Sequence, residues 1–158
     1  MGLTWDEQPA PRPPVMPRAV TGAALAEAHH MRHNQLVIRV GEIAAAAGEK
    51  YGTGPDTLVL HYATDSRRIR TKQPYRAGFP DVVAAGPGGV IFAELKCGDD
   101  TVSQDQRRWA GRLAGAGQLW VEWRPIDALS GRIETELAAL CVRNRYSAAA
   151  AAEPAQAR

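Results

Sequence analysis

Gly78-Phe79-Pro80-Asp81-Val82-Val83-Ala84-Ala85-Gly86-Pro87-Gly88-Gly89-Val90-Ile91-Phe92-Ala93-Glu94-Leu95-Lys96 is the stretch on which the fold turns. Two strand-forming runs, Pro80–Ala85 and Val90–Lys96, flank the turn tetrapeptide Gly86-Pro87-Gly88-Gly89, the signature of a β-hairpin. A turn centred between Pro87 and Gly88 sets Asp81 opposite Glu94. Directly opposed residues of an antiparallel pair hold their side chains about 4.5–5.5 Å apart on one face. Strand alternation puts Lys96 on the same face as Glu94 and turns Ile91, Ala93 and Leu95 toward the core. An apolar hairpin thus delivers Asp81, Glu94 and Lys96 to one small patch.

Working outward, Thr57–Tyr62 and Leu119–Trp123 are rich in strand formers and predict two further strands. Thr21 is a good N-cap for one long helix to about Ala47, with Leu25, Ala28, Leu36, Val40, Ile43, Ala44 and Ala47 near helical spacing. Gly48 is its expected C-cap, and Gly41 is the weak point of its interior. Ser103 opens a helix to about Ala114, closed by Gly115 or Gly117. Ile126, Leu129, Ile133, Leu137 and Leu140 mark a last helix, with Ser130-Gly131 as the place where it would break. The order is α-β-β-β-α-β-α, an α/β domain with a mixed four-stranded sheet flanked by helices.

The 158 residues suit one domain. Residues 1–19 are Pro-rich and read as a flexible arm, 20–146 as the folded domain, and the Ala-rich 147–158 as a frayed or disordered tail. The 19 basic and 17 acidic residues leave a net charge of +2, which excludes a histone-like tail and an acidic disordered solvator. Cys97 and Cys141 are too few for a disulfide scaffold, so a reducing compartment is expected. Nothing resembles a signal peptide, and there is no membrane-spanning run of about 18 apolar residues. The expected location is the cytoplasm of a bacterium or phage-infected cell. Without G-x-x-x-x-G-K-[ST] there is no P-loop, so no nucleoside triphosphate is expected.

Two carboxylates as close as Asp81 and Glu94 repel, unless a cation sits between them. Their oxygens suit a hard divalent ion, Mg²⁺ or Mn²⁺, completed by water and a phosphate. Such an ion polarises a phosphoryl oxygen and lowers the pKa of an attacking water. Lys96 would orient or deprotonate that water, or stabilise developing negative charge. On spacing alone the competing reading is an ordinary solvated Glu94–Lys96 surface pair beside Asp81. Pro55-Asp56 repeats the dipeptide at a strand entrance with no hairpin to carry it to Glu94, and reads as a turn.

Gly78-Phe79-Pro80-Asp81, Phe92-Ala93-Glu94-Leu95-Lys96, Ser103-x-x-Gln106-x-x-Trp109 and Trp123-Arg124-Pro125-x-Asp127 together resemble the VRR-Nuc family, a branch of the PD-(D/E)XK nuclease superfamily. His61-Tyr62-Ala63-Thr64-Asp65-Ser66-Arg67-Arg68 resembles the segment before the Pro-Asp in its small phage and actinobacterial members. The resemblance covers roughly residues 30–140. It implies a restriction-endonuclease-like core with Asp81 and Glu94 as metal ligands, Lys96 as the catalytic lysine and Gln106 as a supporting residue. The family often has a further Glu on its first helix. Here the comparable place offers Gln35, through its amide oxygen, or water, while Glu27 and Glu42 lie elsewhere on the helix.

The resemblance further implies Mg²⁺-dependent (or Mn²⁺-dependent) hydrolysis of DNA, duplex or branched, in the manner of a Holliday junction resolvase, and a homodimer. Rival readings are a non-catalytic nucleic-acid-binding module, a nuclease acting on RNA, and a packaging or restriction-associated enzyme. Ser66, Arg67, Arg68, Arg70, Lys72 and Arg76 are the expected nucleic-acid contacts, in a stretch of net charge +4 from Ala63 to Gly78. Ser103 and Gln106 also form a capping box, a role that coexists with support of the site. Trp109 reads as core, and Trp120 and Trp123 as structural on opposite faces of the fourth strand. His29 and His33 share a helical face but lack the further ligands of a zinc site.

Overall fold

A computed structural model describes residues 18–62 and 77–142. The elements are α1 (Gly22–His30), α2 (His33–Tyr51), a short 3₁₀ turn (Pro55–Thr57), β1 (Val59–Tyr62), β2 (Val82–Gly86), β3 (Gly89–Leu95), α3 (Gln104–Gly115), β4 (Leu119–Trp123), α4 (Pro125–Ser130) and α5 (Arg132–Leu140). They build an α/β domain with one mixed four-stranded sheet in the order β1-β2-β3-β4, in a restriction-endonuclease-like arrangement. β1, β2 and β3 pair antiparallel, and β4 joins β3 in parallel after the α3 crossover.

The hairpin register is the one its turn dictates. Val82 pairs with Ala93, Ala84 with Ile91 and Gly86 with Gly89. One face of the sheet buries Val82, Ala84, Ile91, Ala93, Leu95, Val121 and Trp123. Leu36, Val40, Ala44 and Ala47 of α2 cover it, a stripe at helical spacing, together with Ala128, Ile133, Leu137 and Leu140 of the last two helices. Trp123, the largest side chain in this layer, is fully buried and donates from Nε1 to Glu136 Oε2 at 2.6 Å.

The first helix is not continuous. Thr21 does cap α1, its hydroxyl accepting from the Ala24 N–H at 3.2 Å. The chain then becomes extended at Met31 and Arg32 and restarts as α2. The restart is stabilised by Gln35, whose Oε1 accepts from the Arg32 N–H at 2.8 Å. The break falls here and not at Gly41, because Met31 packs inward against the core while α1 leaves to contact α4. Leu25, expected on the buried stripe, is 56% exposed. At its other end α2 runs past Gly48 to Tyr51, and the Gly48 carbonyl receives the N–H groups of both Gly52 and Gly54. The last helix does divide where Ser130-Gly131 suggested, at Gly131 with φ 85°. β1 and β2 begin later than their apolar runs, since Pro55–Thr57 coils into the 3₁₀ turn and Pro80 cannot donate to the ladder.

α3 lies across the opposite face of the sheet. Ser103 and Gln106 form its capping box, with Oγ accepting from the Gln106 N–H at 3.2 Å and Gln106 Oε1 from the Ser103 N–H at 2.7 Å. Trp109 corrects the core reading: it is only part-buried, stands edge-on to Phe79 at 5.0 Å, and donates from Nε1 to the Ala77 carbonyl at 3.1 Å. It clamps the chain entering the Pro80-Asp81 step. Gly78 makes the clamp geometry accessible, with φ 77° and room for no Cβ: one there would lie 2.3 Å from the Asp105 backbone. Gly78→Ala is therefore expected to cost about 2 kcal/mol or more, read as a Tm fall of roughly 5–10 °C by calorimetry. An unchanged Tm would show that this approach is not tight.

Candidate metal and active site

Three elements converge at the C-terminal end of β3. Pro80 is fully buried and Phe79 stacks edge-on with both Phe92 and Trp109, which fixes the backbone that carries Asp81 into β2. Asp81 Oδ2 accepts from the Leu95 N–H at 2.9 Å. β3 supplies Glu94, 1% exposed, and the chain just beyond it supplies Lys96, 9% exposed. Lys96 Nζ donates to Glu94 Oε1 at 2.9 Å. Its backbone is held too, because the Lys96 N–H donates to the Trp123 carbonyl at 3.0 Å. The first turn of α3 supplies Gln106. Its Nε2 donates to Glu94 Oε1 while its Oε1 serves the helix cap, so the two roles expected of it are two ends of one amide.

Glu94 Oε2 is buried and has no hydrogen-bond partner. A carboxylate oxygen removed from water without a partner is costly, and it is the acceptor that a cation would satisfy. Burial pushes the Glu94 carboxyl up to about 7; the Lys96 ammonium opposes this and the Asp81 carboxylate adds to it. The Glu94–Lys96 pair is therefore not the solvated surface pair that spacing alone allowed.

Gln35 projects from an exposed position of α2 with its amide oxygen engaged in the helix start. The α2 side chain that reaches the carboxylates is His33, at the first position of the helix. Its Nε2 lies 3.5 Å from Asp81 Oδ2. Sequence reasoning weighed His33 only as half of a zinc pair with His29. The signal for its real direction was the restart at Arg32, where Gln35 closes the cap without a Ser, Thr, Asp or Asn at the N-cap itself. Among the described residues, no three His, Cys, Asp or Glu side chains form a ready metal cage.

Arg124 holds the chain that leaves Lys96. Its Nε donates to Glu122 at 2.5 Å, Nη1 to the Gly98 carbonyl at 3.0 Å and Nη2 to the Asp100 carbonyl at 2.8 Å. Asp127 Oδ2 accepts from the Arg124 N–H at 2.8 Å and starts α4. Trp120 is part-buried and Trp123 wholly buried, on opposite faces of β4. Ser66, Arg67, Arg68, Arg70, Lys72 and Arg76 lie outside the described residues, as do most of the terminal segments 1–19 and 147–158.

No protein-family model matches the sequence, and no curated protein is significantly similar to it. A solved structure described as a VRR_NUC domain protein is similar over 66% of this chain and 86% of its own, with 19% identity and a TM-score of 0.48.

The Glu94 carboxyl has an ordinary value of 4.5 when the chain is unfolded. Between 4.5 and about 7 the folded protein therefore holds more protons than the unfolded one, and stability falls as pH rises through that window. In metal-free buffer the loss from pH 5 to pH 8 is expected to be roughly 2 kcal/mol by urea unfolding. Glu94→Gln should flatten the profile and gain stability at pH 8. Equal losses in both proteins would assign the pH dependence to other groups.

Proposed function

We propose that the protein is a divalent-metal-dependent nuclease that hydrolyses DNA phosphodiester bonds. The observation that carries the reading is the unpartnered, buried Glu94 Oε2 beside Asp81, with Lys96 against the other oxygen. The donor set fits Mg²⁺ or Mn²⁺: two carboxylates, one of them too buried to ionise easily without a neighbouring cation. Asp81 and Glu94 would hold the ion, which supplies a polarised phosphoryl oxygen and a more acidic water.

The chain's own side chains carry the rest. Lys96 orients the attacking water and stabilises negative charge on the phosphate. Gln106 fixes the Glu94 carboxylate in one rotamer by tying it to the start of α3. The N-terminal end of α2 turns its partial positive charge toward Asp81, which favours anions there. The Arg- and Lys-bearing segment 63–76 would neutralise phosphates; the described residues on either side of it, Tyr62 and Ala77, adjoin the strand and the step that lead to Asp81.

We carry a four-way or otherwise branched DNA substrate and a homodimer as the finer form of this proposal, on the motif resemblance alone. The absence of a ready three-donor cage among the described residues favours one rival, a nucleic-acid-binding module that keeps the fold without cleavage. No described helix is long and apolar enough to cross a membrane.

Duplex, single-stranded, flap and four-way DNA, with RNA alongside, incubated in Mg²⁺ and in EDTA, test the proposal on a gel. Cleavage is expected only with the metal. Asp81→Asn and Lys96→Gln should each lower its rate about 100-fold or more while the far-UV spectrum is retained. Binding in EDTA with no product in Mg²⁺ or Mn²⁺ would give the function to the binding module. Wild-type rates in both variants would place the chemistry elsewhere.

A further inference from the structure

The break between α1 and α2 aims one imidazole at the carboxylates, and nothing in the motif pattern accounts for it. His33 sits on the first residue of α2, 51% exposed at its side chain, with Nε2 3.5 Å from Asp81 Oδ2. That separation is longer than a normal N–H···O hydrogen bond of about 2.7–3.2 Å, so the two groups face each other without closing a bond. It is close to the spacing of two donors on one small divalent ion: bonds of about 2.1 Å set adjacent donors roughly 3.0–3.4 Å apart. The Asp81 side chain is 29% exposed, which leaves the gap open to an ion that keeps some of its water. On the far side of Asp81, the buried Glu94 carboxylate has an oxygen with no partner.

We propose that His33 is a nitrogen ligand of the divalent cation held by Asp81 and Glu94, and that it gives the site a preference for Mn²⁺ over Mg²⁺. The inference rests on the metal-site reading above. Carboxylate and water ligands suit Mg²⁺ and Mn²⁺ alike, whereas an imidazole nitrogen favours the transition metal. The Gln35 amide, the other polar group near the start of α2, has its oxygen committed to the Arg32 N–H. His33 has no such commitment in the backbone: its described contact is with Asp81.

The discriminating measurement is on Mn²⁺ itself, with the full chain and no substrate. Electron spin-echo modulation of bound Mn²⁺ should show coupling to a directly bonded ¹⁴N in the wild type. His33→Ala should abolish that coupling and weaken Mn²⁺ binding about tenfold by titration calorimetry, with Mg²⁺ binding changed less than about twofold. Asp81→Asn should weaken both ions. Mn²⁺ bound through Asp81 with no ¹⁴N coupling would overturn the His33 assignment and leave the carboxylate site standing. Coupling that survives His33→Ala would overturn it equally, since the nitrogen would come from elsewhere. Reduced cleavage in His33→Ala with unchanged Mn²⁺ affinity and coupling would do the same. Failure of the wild type to bind Mn²⁺ or Mg²⁺ at all would bring down the underlying metal-site reading.

Discussion

A carboxylate that is 1% exposed must be held by something, and the architecture around Glu94 is organised by that need. A buried charge without compensation would cost several kcal/mol, so each neighbouring element contributes to its support. The strand alternation that turns Leu95 into the core turns Glu94 toward α3. The crossover then returns Gln106 to Glu94 Oε1, while Lys96 approaches from the same strand. Even so, one oxygen is left without a partner. A site designed only for stability would have satisfied it or replaced the acid by an apolar residue. Leaving it open is sensible only if a ligand completes it.

The sequence motifs acquire a division of labour in the fold. Phe79 is the wedge between Phe92 and Trp109, so an apparently apolar motif position is a clamp on the residue pair that follows. Trp123-Arg124-Pro125-x-Asp127 contributes no group to the carboxylate patch. It works one step back: Trp123 anchors β4 in the core and accepts the Lys96 N–H at its carbonyl. Arg124 clasps Glu122 and the Gly98 and Asp100 carbonyls. Both ends of Lys96 are thus constrained, the backbone by β4 and the ammonium by Glu94.

What could be read beforehand follows from how local each signal is. The hairpin was legible because turn chemistry and alternation are local rules, and they fixed the pairing of β2 with β3 and hence the approach of Asp81 to Glu94. The capping box of α3 was equally local, though its second function depends on a contact across twelve residues. The break at Met31-Arg32 was not legible. Both flanking segments have helical character, and the decision between one helix and two is made by Met31 packing inward and by α1 finding α4. Neither is visible in periodicity. Gly41, the residue that looked like the weak point, is an interior position of α2 that lies beside the Tyr62 hydroxyl.

The same break shows why the residue that completes a site can escape motif reading. A motif records side chains at fixed spacing on one element, but the direction of His33 is set by where α2 begins. Were α1 and α2 one straight helix, His33 and His29 would lie one turn apart on a shared face. With the chain extended at Met31 and Arg32, that relation is lost and His33 becomes the first residue of a new helix directed at Asp81. Gln35, which spacing had favoured, is spent on starting that helix. The two residues therefore act in series: the amide of Gln35 stabilises the restart, and the restart presents the imidazole. Supporting chemistry at the open oxygen of Glu94 is then a matter of tertiary placement, and substitution at Gln35 acts on the site through His33.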